Sequence, residues 1–204
     1  MKITSAEPSP RNKGMLRIQI DGAYAFHMPE SIWLARHLYE KEEWTEAEMT
    51  ELRGTVLHRA AKEAAVRYLS VKDRTEQGLF ERLLQAGYEQ DAAASAVAVM
   101  KTMGYIDDRR YAQRHISDQL RMKAISRKSI RTGLKLKGIS DETLDEVFEE
   151  FEQTDEETAI RSIRKKFGKY DLQDPVIEKK AISWLMHRGF DYETVRNLLR
   201  RLAR

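Results

Sequence analysis

The sequence predicts a mainly α-helical protein of tandem three-helix repeats, which we expect to form an elongated array behind a small N-terminal β-hairpin extension. Three glycines, Gly87, Gly138 and Gly189, stand 51 residues apart, and each follows a helical stretch and precedes a large apolar residue. A fixed period of this length is typical of repeat proteins, whose units bury their apolar faces against neighbouring units. With 34% charged residues and only four prolines, the composition also favours helices.

Further columns of apolar residues obey the same period. The superposed triplets are Leu83, Leu134 and Leu185; Ala93, Leu144 and Val195; Ala96, Val147 and Leu198; Val97, Phe148 and Leu199; and Met100, Phe151 and Leu202. Because these columns keep their apolar character, we place three repeats at residues 59–106, 107–153 and 154–204.

Residues 1–58 precede the repeats and contain the only predicted β element. Apolar alternation over Met15–Met28, on either side of Asp21-Gly22, predicts a two-residue hairpin with a type I′ turn. A first helix is expected to begin near Ser31, and it carries Trp33, Leu34 and Leu38. A second begins at Thr45, which stands at capping-box spacing from Glu48. The extension pads the first repeat or docks on a partner, and the sequence leaves both readings open.

The second repeat gives the clearest helices, at Asp108–Met122, Arg127–Lys137 and Asp141–Phe151. Gly138 falls where a residue with positive φ ends a helix, and Ser140 is placed to cap the next one. An apolar stripe at helical spacing predicts the core of this repeat: Tyr111, Ala112, Ile116, Leu120, Ile130 and Leu134.

Charge is strongly segregated, although the net charge is only +3. Ten basic residues and one acid lie between Arg109 and Lys137, and ten acids with no base follow between Asp141 and Glu157. A further basic group follows at Arg161, Arg164, Lys165, Lys166 and Lys169. Such blocks are typical of a surface that meets a charged partner, but they are also compatible with solvated helix faces that pair with one another.

Composition and motifs argue against several classes of function. The chain has no cysteine, and no stretch approaches the roughly 18 apolar residues of a membrane span. Residues 1–12 lack an apolar signal core, so we expect a cytoplasmic protein. The five histidines are not at ligand spacing, and neither a phosphate loop nor a nucleophile elbow occurs. We therefore expect no enzyme, no metal and no cofactor.

Three segments of the repeats carry recognisable motifs: YLSVKDRTEQGLFERLLQAGY (68–88), MGYIDDRRYA (103–112) and LKLKGIS (134–140). These segments resemble the RecX family of recombinase regulators. The third repeat resembles the family's C-terminal unit through its apolar spacing and the RGF sequence at 188–190. The resemblance implies a non-enzymatic monomer that binds the RecA filament on single-stranded DNA within the filament's groove, and that meets the DNA either directly or through the filament. It also implies suppression of ATP hydrolysis, filament extension and strand exchange, in DNA repair and recombination and the SOS response.

Basic residues at helical spacing are the candidates for contact with the filament or its DNA. They are Arg110, Arg114 and Arg121 on one helix, Arg127, Lys128, Arg131, Lys135 and Lys137 on the next, and Arg161, Lys165 and Lys169 in the third repeat. A rival reading is a DNA-binding protein that acts alone, because three-helix units with a basic helix also describe helix-turn-helix modules. A scaffold for some other protein is a third reading.

Overall fold

Two units, Met1–Asp107 and Asp108–Arg204, make up the chain. The structure is a computed structural model, and it describes residues 1–122 and 125–202. The described part is mainly helical with one small sheet, in agreement with the predicted fold class.

The first unit begins with a three-stranded antiparallel sheet in the order β1-β2-β3. Its strands are β1 (Ile3–Pro8), β2 (Met15–Ile20) and β3 (Ala23–Pro29). The predicted hairpin between β2 and β3 is confirmed, because Asp21 and Gly22 both have positive φ, 49° and 83°, as a type I′ turn requires.

Strand β1 corrects the prediction, which placed only a hairpin in this segment. It pairs along β2, with Ala6 opposite Ile18, but its own residues are at most half-buried. An edge strand of this kind is held by backbone pairing with its neighbour, so its sequence shows little of the alternation that marks a strand with one buried face.

The helices of the extension agree in part with expectation. Helix α1 (Glu30–Ala35) ends before Leu38, which lies in a separate 3₁₀ turn (Leu38–Glu40) because His37 adopts a left-handed φ of 52°. Helix α2 (Glu46–Glu51) begins with the predicted capping box: the Glu48 N–H donates to the Thr45 hydroxyl over 3.2 Å, and the Thr45 N–H donates to the Glu48 carboxylate over 3.0 Å.

A π-helical segment (Leu52–Leu57) connects α2 to α3 (His58–Val71) without a break. The predicted border at residue 58 therefore lies inside a continuous helical run. The N-terminal part of this run contributes Leu52 and Val56 to the core of the sheet, which also contains the fully buried Ile18 and Phe26.

The first repeat is completed by α4 (Glu76–Gln85) and α5 (Gln90–Thr102). Its core contains several buried alanines, among them Ala61, Ala64, Ala93 and Ala96, packed around Leu79 and Leu83. Small side chains let α3 and α5 approach each other closely. Met15 of β2 belongs to the same core, so the extension does pad the first repeat.

The second unit contains two further three-helix domains. The second repeat has α6 (Asp108–Met122), α7 (Arg127–Lys135) and α8 (Asp141–Glu149), and the third has α9 (Asp155–Phe167), α10 (Pro175–Met186) and α11 (Tyr192–Leu202). The predicted starts of α6, α7 and α8 are confirmed, whereas α7 and α8 end two residues earlier than expected. Each domain has its own core, centred on Leu134 and Leu144 in one and on Leu185 and Val195 in the other.

The three periodic glycines end equivalent helices in the same way. Gly87, Gly138 and Gly189 have φ of 96°, 85° and 83°. In each case the following apolar residue donates its N–H back to a leucine carbonyl: Tyr88 to Leu83 (3.1 Å), Ile139 to Leu134 (3.3 Å) and Phe190 to Leu185 (3.2 Å). This is the Schellman pattern, which satisfies a carbonyl at the helix end and turns the apolar residue into the core.

Candidate functional site

The predicted basic residues of α6 lie at the surface. Arg110, Arg114 and Arg121 are all exposed, and Arg121 lies 3.7 Å from the carboxylate of Asp118 one turn earlier. Arg109, on the same helix, instead donates to Glu146 (2.7 Å) and Glu150 (2.5 Å) of α8. Helix α6 thus uses one arginine to hold α8 and keeps three others exposed.

Arg127, at the start of α7, is a structural anchor in this fold. Its half-buried guanidinium donates to the carbonyls of Phe148 (2.7 Å), Phe151 (2.8 Å) and Gln153 (2.9 Å), just where α8 ends. It also lies over the Phe148 ring, 4.9 Å from the centroid. The backbone N–H of Arg127 donates to Asp155 over 2.7 Å. One residue therefore joins α7 to the end of α8 and to the start of α9.

The next two cations of α7 pair with the acidic block. Arg131 is half-buried and contacts Asp141 and Asp145, and Lys135 donates to Asp141 over 2.6 Å. The hydrogen bond from Lys135, together with the charge of Arg131, lowers the pKa of the Asp141 carboxyl below its usual value. The reading in which the charge blocks pair with each other thus holds for these residues.

Two predicted cations of this region keep exposed positions beside the paired ones. Lys128 is exposed and has no ion pair within residues 1–122 and 125–202. Lys137 is exposed and lies 5.8 Å from the centroid of the Tyr111 ring. Together with Arg110 and Arg114 of α6, they lie exposed at the surface of the second repeat.

In the third repeat, the predicted cations Arg161, Lys165 and Lys169 are all exposed, but they differ in their contacts. Arg161 donates to the carbonyl of Leu120 and so holds α9 against α6. Lys165 and Lys169 follow it at four-residue spacing. Lys165 lines a cleft, whereas Lys169 lies beyond the end of the helix.

That cleft lies between the second and third domains and has a volume of about 830 Å³. Its cationic and aromatic lining consists of Arg121, Arg161, Lys165, Lys166, Trp184 and Arg188. Lys166, Trp184 and Arg188 are functional candidates that the sequence pattern did not predict. A signal was available, since the aromatic Trp184 stands four residues before Arg188 on a helical stretch.

The wall of the cleft is fixed by a close approach of two helix ends. The Ser126 N–H, at the start of α7, donates to the Arg188 carbonyl over 3.0 Å. Gly189 lies so near this turn that a Cβ there would stand 2.8 Å from the Ser126 hydroxyl and 3.0 Å from the Ser129 Cβ. The absent side chain of Gly189 thus allows α10 to reach α7.

Other classes of site find no counterpart in the described residues. Within 1–122 and 125–202, no three His, Asp or Glu side chains are grouped as a metal site would need. In the same ranges, no helix has the length and apolar character to cross a membrane.

The fold and these surfaces define a class: a helical repeat protein of three-helix domains whose second and third domains carry basic faces. Three family models match it in order, described as the first, second and third three-helix domains of RecX, over residues 61–98, 107–147 and 154–199. The chain therefore belongs to the RecX family.

Individual relatives agree with this assignment over nearly the whole chain. The "Regulatory protein RecX" of Clostridium perfringens (strain 13) is 26% identical over 207 residues, which cover 99% of this chain and 96% of the relative. That of Lactobacillus gasseri is 27% identical over 208 residues, covering 99% and 75%.

Two solved structures share the fold. A crystal structure of regulatory protein RecX has a TM-score of 0.64 at 23% identity and covers 97% of this chain and 98% of its own. RecX from Lactobacillus salivarius has a TM-score of 0.58 at 18% identity, covering 72% and 96%.

Proposed function

We propose that this protein is a non-enzymatic inhibitor of the RecA recombinase that acts as a monomer in the cytoplasm. It binds the RecA filament on single-stranded DNA, within the filament's groove, and suppresses ATP hydrolysis, filament extension and strand exchange. The observation that carries this proposal is the succession of three RecX domains along the chain. The relatives' shared name supports a regulatory role.

The surface we propose for the filament consists of the exposed cations of the second repeat. Arg110 and Arg114 on α6, Lys128 on α7 and Lys137 just beyond the end of α7 are exposed. Arg127, Arg131 and Lys135 belong to the same predicted set, but their contacts with α8 give them a structural task that precedes any contact with a partner.

Charge supports this choice of surface. Like charges four residues apart destabilise an isolated helix by a few tenths of a kcal/mol, and Arg110 and Arg114 stand at that spacing on α6. A polyanionic partner such as a nucleoprotein filament offsets this repulsion and steers the encounter electrostatically. The third repeat adds Lys165 and Lys169 to the proposed surface.

The test is ATP hydrolysis by RecA on single-stranded DNA in large excess, titrated with this protein from far below the RecA concentration. We expect loss of hydrolysis at substoichiometric protein, which template sequestration cannot produce when DNA is in excess. Unchanged hydrolysis up to equimolar protein would refute the proposal. If tight, salt-sensitive binding to DNA alone accompanied that result, the independent DNA-binding reading would replace it.

Charge reversal then tests the surface itself. In the double variant Arg114→Glu/Lys128→Glu, we expect half-inhibition to need about tenfold more protein, since two charge contacts of roughly 0.5–1 kcal/mol each are lost. The matched control is Lys179→Glu/Lys180→Glu on α10, which has the same charge change at exposed positions outside the proposed surface. Equal inhibition by both double variants would remove Arg114 and Lys128 from the mechanism.

A further inference from the structure

The cleft between the second and third domains is strongly cationic. Five of its lining side chains are Arg or Lys, contributed by α6, α9 and the turn after α10, and no carboxylate is found among the described lining residues. This contrasts with α7, whose Arg131 and Lys135 are matched by acids nearby. Concentrated charge of one sign in a concave site raises the local concentration of an oppositely charged ligand. The cleft therefore favours an anion.

The cations are held in position before any ligand arrives. The Arg188 guanidinium carbon lies 4.0 Å and the Lys166 ammonium 4.7 Å from the centroid of the Trp184 ring. Trp184 is in turn fixed by an edge-to-face contact with Phe167, with centroids 5.8 Å apart. Arg161 is held by the Leu120 carbonyl. Side chains that are already ordered lose less conformational entropy on binding.

The planar groups distinguish a nucleic acid from an acidic peptide. Arg188 stacked on Trp184 presents a flat guanidinium, and unpaired bases stack on such planes as well as on aromatic rings. The hydroxyl-bearing residues Ser129 and Ser162 also line the cleft, and hydroxyl groups commonly contact phosphates. The volume is within the range of clefts that hold drug-sized ligands, about 300–1,000 Å³. A short stretch of strand fits this size.

We propose that the cleft binds single-stranded DNA directly. Phosphates contact Lys165, Lys166 and Arg121, and a base stacks on the Arg188–Trp184 pair. The proposal deepens the function proposed above and rests on it for its biological meaning, but it concerns contact with bare DNA and is testable without RecA. It assigns to three residues outside the predicted set, Lys166, Trp184 and Arg188, a part in DNA binding.

The first test is binding of a fluorescent oligothymidylate, followed by anisotropy as a function of salt. We expect Lys165→Gln/Lys166→Gln to bind roughly tenfold more weakly at low salt. The slope of log K against log salt should fall in magnitude by about 1.4, because each lost contact with a single-strand phosphate removes about 0.7. A control on the same helix is Arg164→Gln, which removes one exposed cation that does not line the cleft. It should bind as the unmodified protein does.

Tryptophan fluorescence gives a second, independent readout. Binding should quench the emission of the unmodified protein, and Trp184→Phe should lose that quenching while retaining an aromatic ring against Phe167. Trp33 and Trp44 do not line the cleft, so their emission provides the baseline. Quenching that survives in Trp184→Phe would overturn the proposal, as would equal oligothymidylate binding by the double-lysine variant and Arg164→Gln.

Two further outcomes separate this proposal from the proposed function. If polyglutamate of equal charge displaced the oligothymidylate at equal concentration, the occupant of the cleft would be an acidic protein segment, and direct DNA binding would be overturned. If oligothymidylate binding did not depend on the cleft while RecA-dependent ATP hydrolysis was still inhibited, only the present proposal would fail. A third outcome would refute the proposed function alone. In that case the double-lysine variant would lose oligothymidylate binding, but the unmodified protein would fail to inhibit RecA.

Discussion

Replacing Arg127 with methionine tests whether this arginine stabilises the fold or binds a partner. Methionine keeps an apolar stem against Phe148 but removes the donors to the carbonyls of Phe148, Phe151 and Gln153, which lie 2.7–2.9 Å from the guanidinium nitrogens. The backbone hydrogen bond from residue 127 to Asp155 does not depend on the side chain. The variant therefore isolates the guanidinium's contribution.

The expected loss follows from these three bonds. Hydrogen bonds to a charged group contribute about 1.5–3 kcal/mol each, but the site is only half-buried, so water replaces part of what is removed. We expect a loss of about 2–4 kcal/mol in the free energy of unfolding, within the usual upper range for a single substitution. Arg131→Met is the matched control, because its ion pairs with the exposed Asp141 and Asp145 are surface pairs worth about 0–1 kcal/mol.

The assay is urea unfolding followed by far-ultraviolet circular dichroism, with the slope against urea checked for constancy. If Arg127→Met and Arg131→Met lost stability equally, within about 0.5 kcal/mol, the anchoring role of Arg127 would be refuted. Arg127 would then again be a candidate for contact with the filament. RecA inhibition by Arg127→Met, measured where the variant is fully folded, is expected to be retained.

Two other predictions concern a helix end and a capping box. Gly189→Ala should be more destabilising in thermal unfolding than Gly104→Ala, because both have positive φ but only Gly189 approaches Ser129; equal losses would show that the close approach relaxes freely. The hydrogen bond from Lys41, followed by those from Thr45, lowers the pKa of Glu48 to about 2. Because this pKa is depressed in the folded state, Glu48 should stabilise the protein above its ordinary value of 4.5 and lose that effect as pH falls towards 2. Urea midpoints of Glu48→Gln should therefore fall less over that interval than those of the unmodified protein, and parallel curves would contradict the prediction.

Much of the fold could be predicted because its signals are local. A Schellman turn involves six consecutive residues, so Gly138 and the apolar Ile139 suffice to end a helix. Capping by Ser140, and the capping box of Thr45 and Glu48, likewise involve residues within one turn. The apolar columns recur because each domain repeats the same packing, and members such as Leu134 and Leu185 are fully buried.

The sequence by itself thus determined the helical class, the three-domain organisation and the starts of α2, α6, α7 and α8. Only the tertiary structure decided which cations are used internally, since Arg127, Arg131 and Lys135 meet acceptors on or beyond α8. The cationic cleft has the same origin, because it joins residues far apart along the chain, as Arg121 and Trp184 are. Strand β1 escaped prediction for a local reason, because its residues are at most half-buried and show little alternation. Helical periodicity shows which residues share a face of one helix, but the partner of that face depends on how the helices pack, and packing is set by long-range contacts.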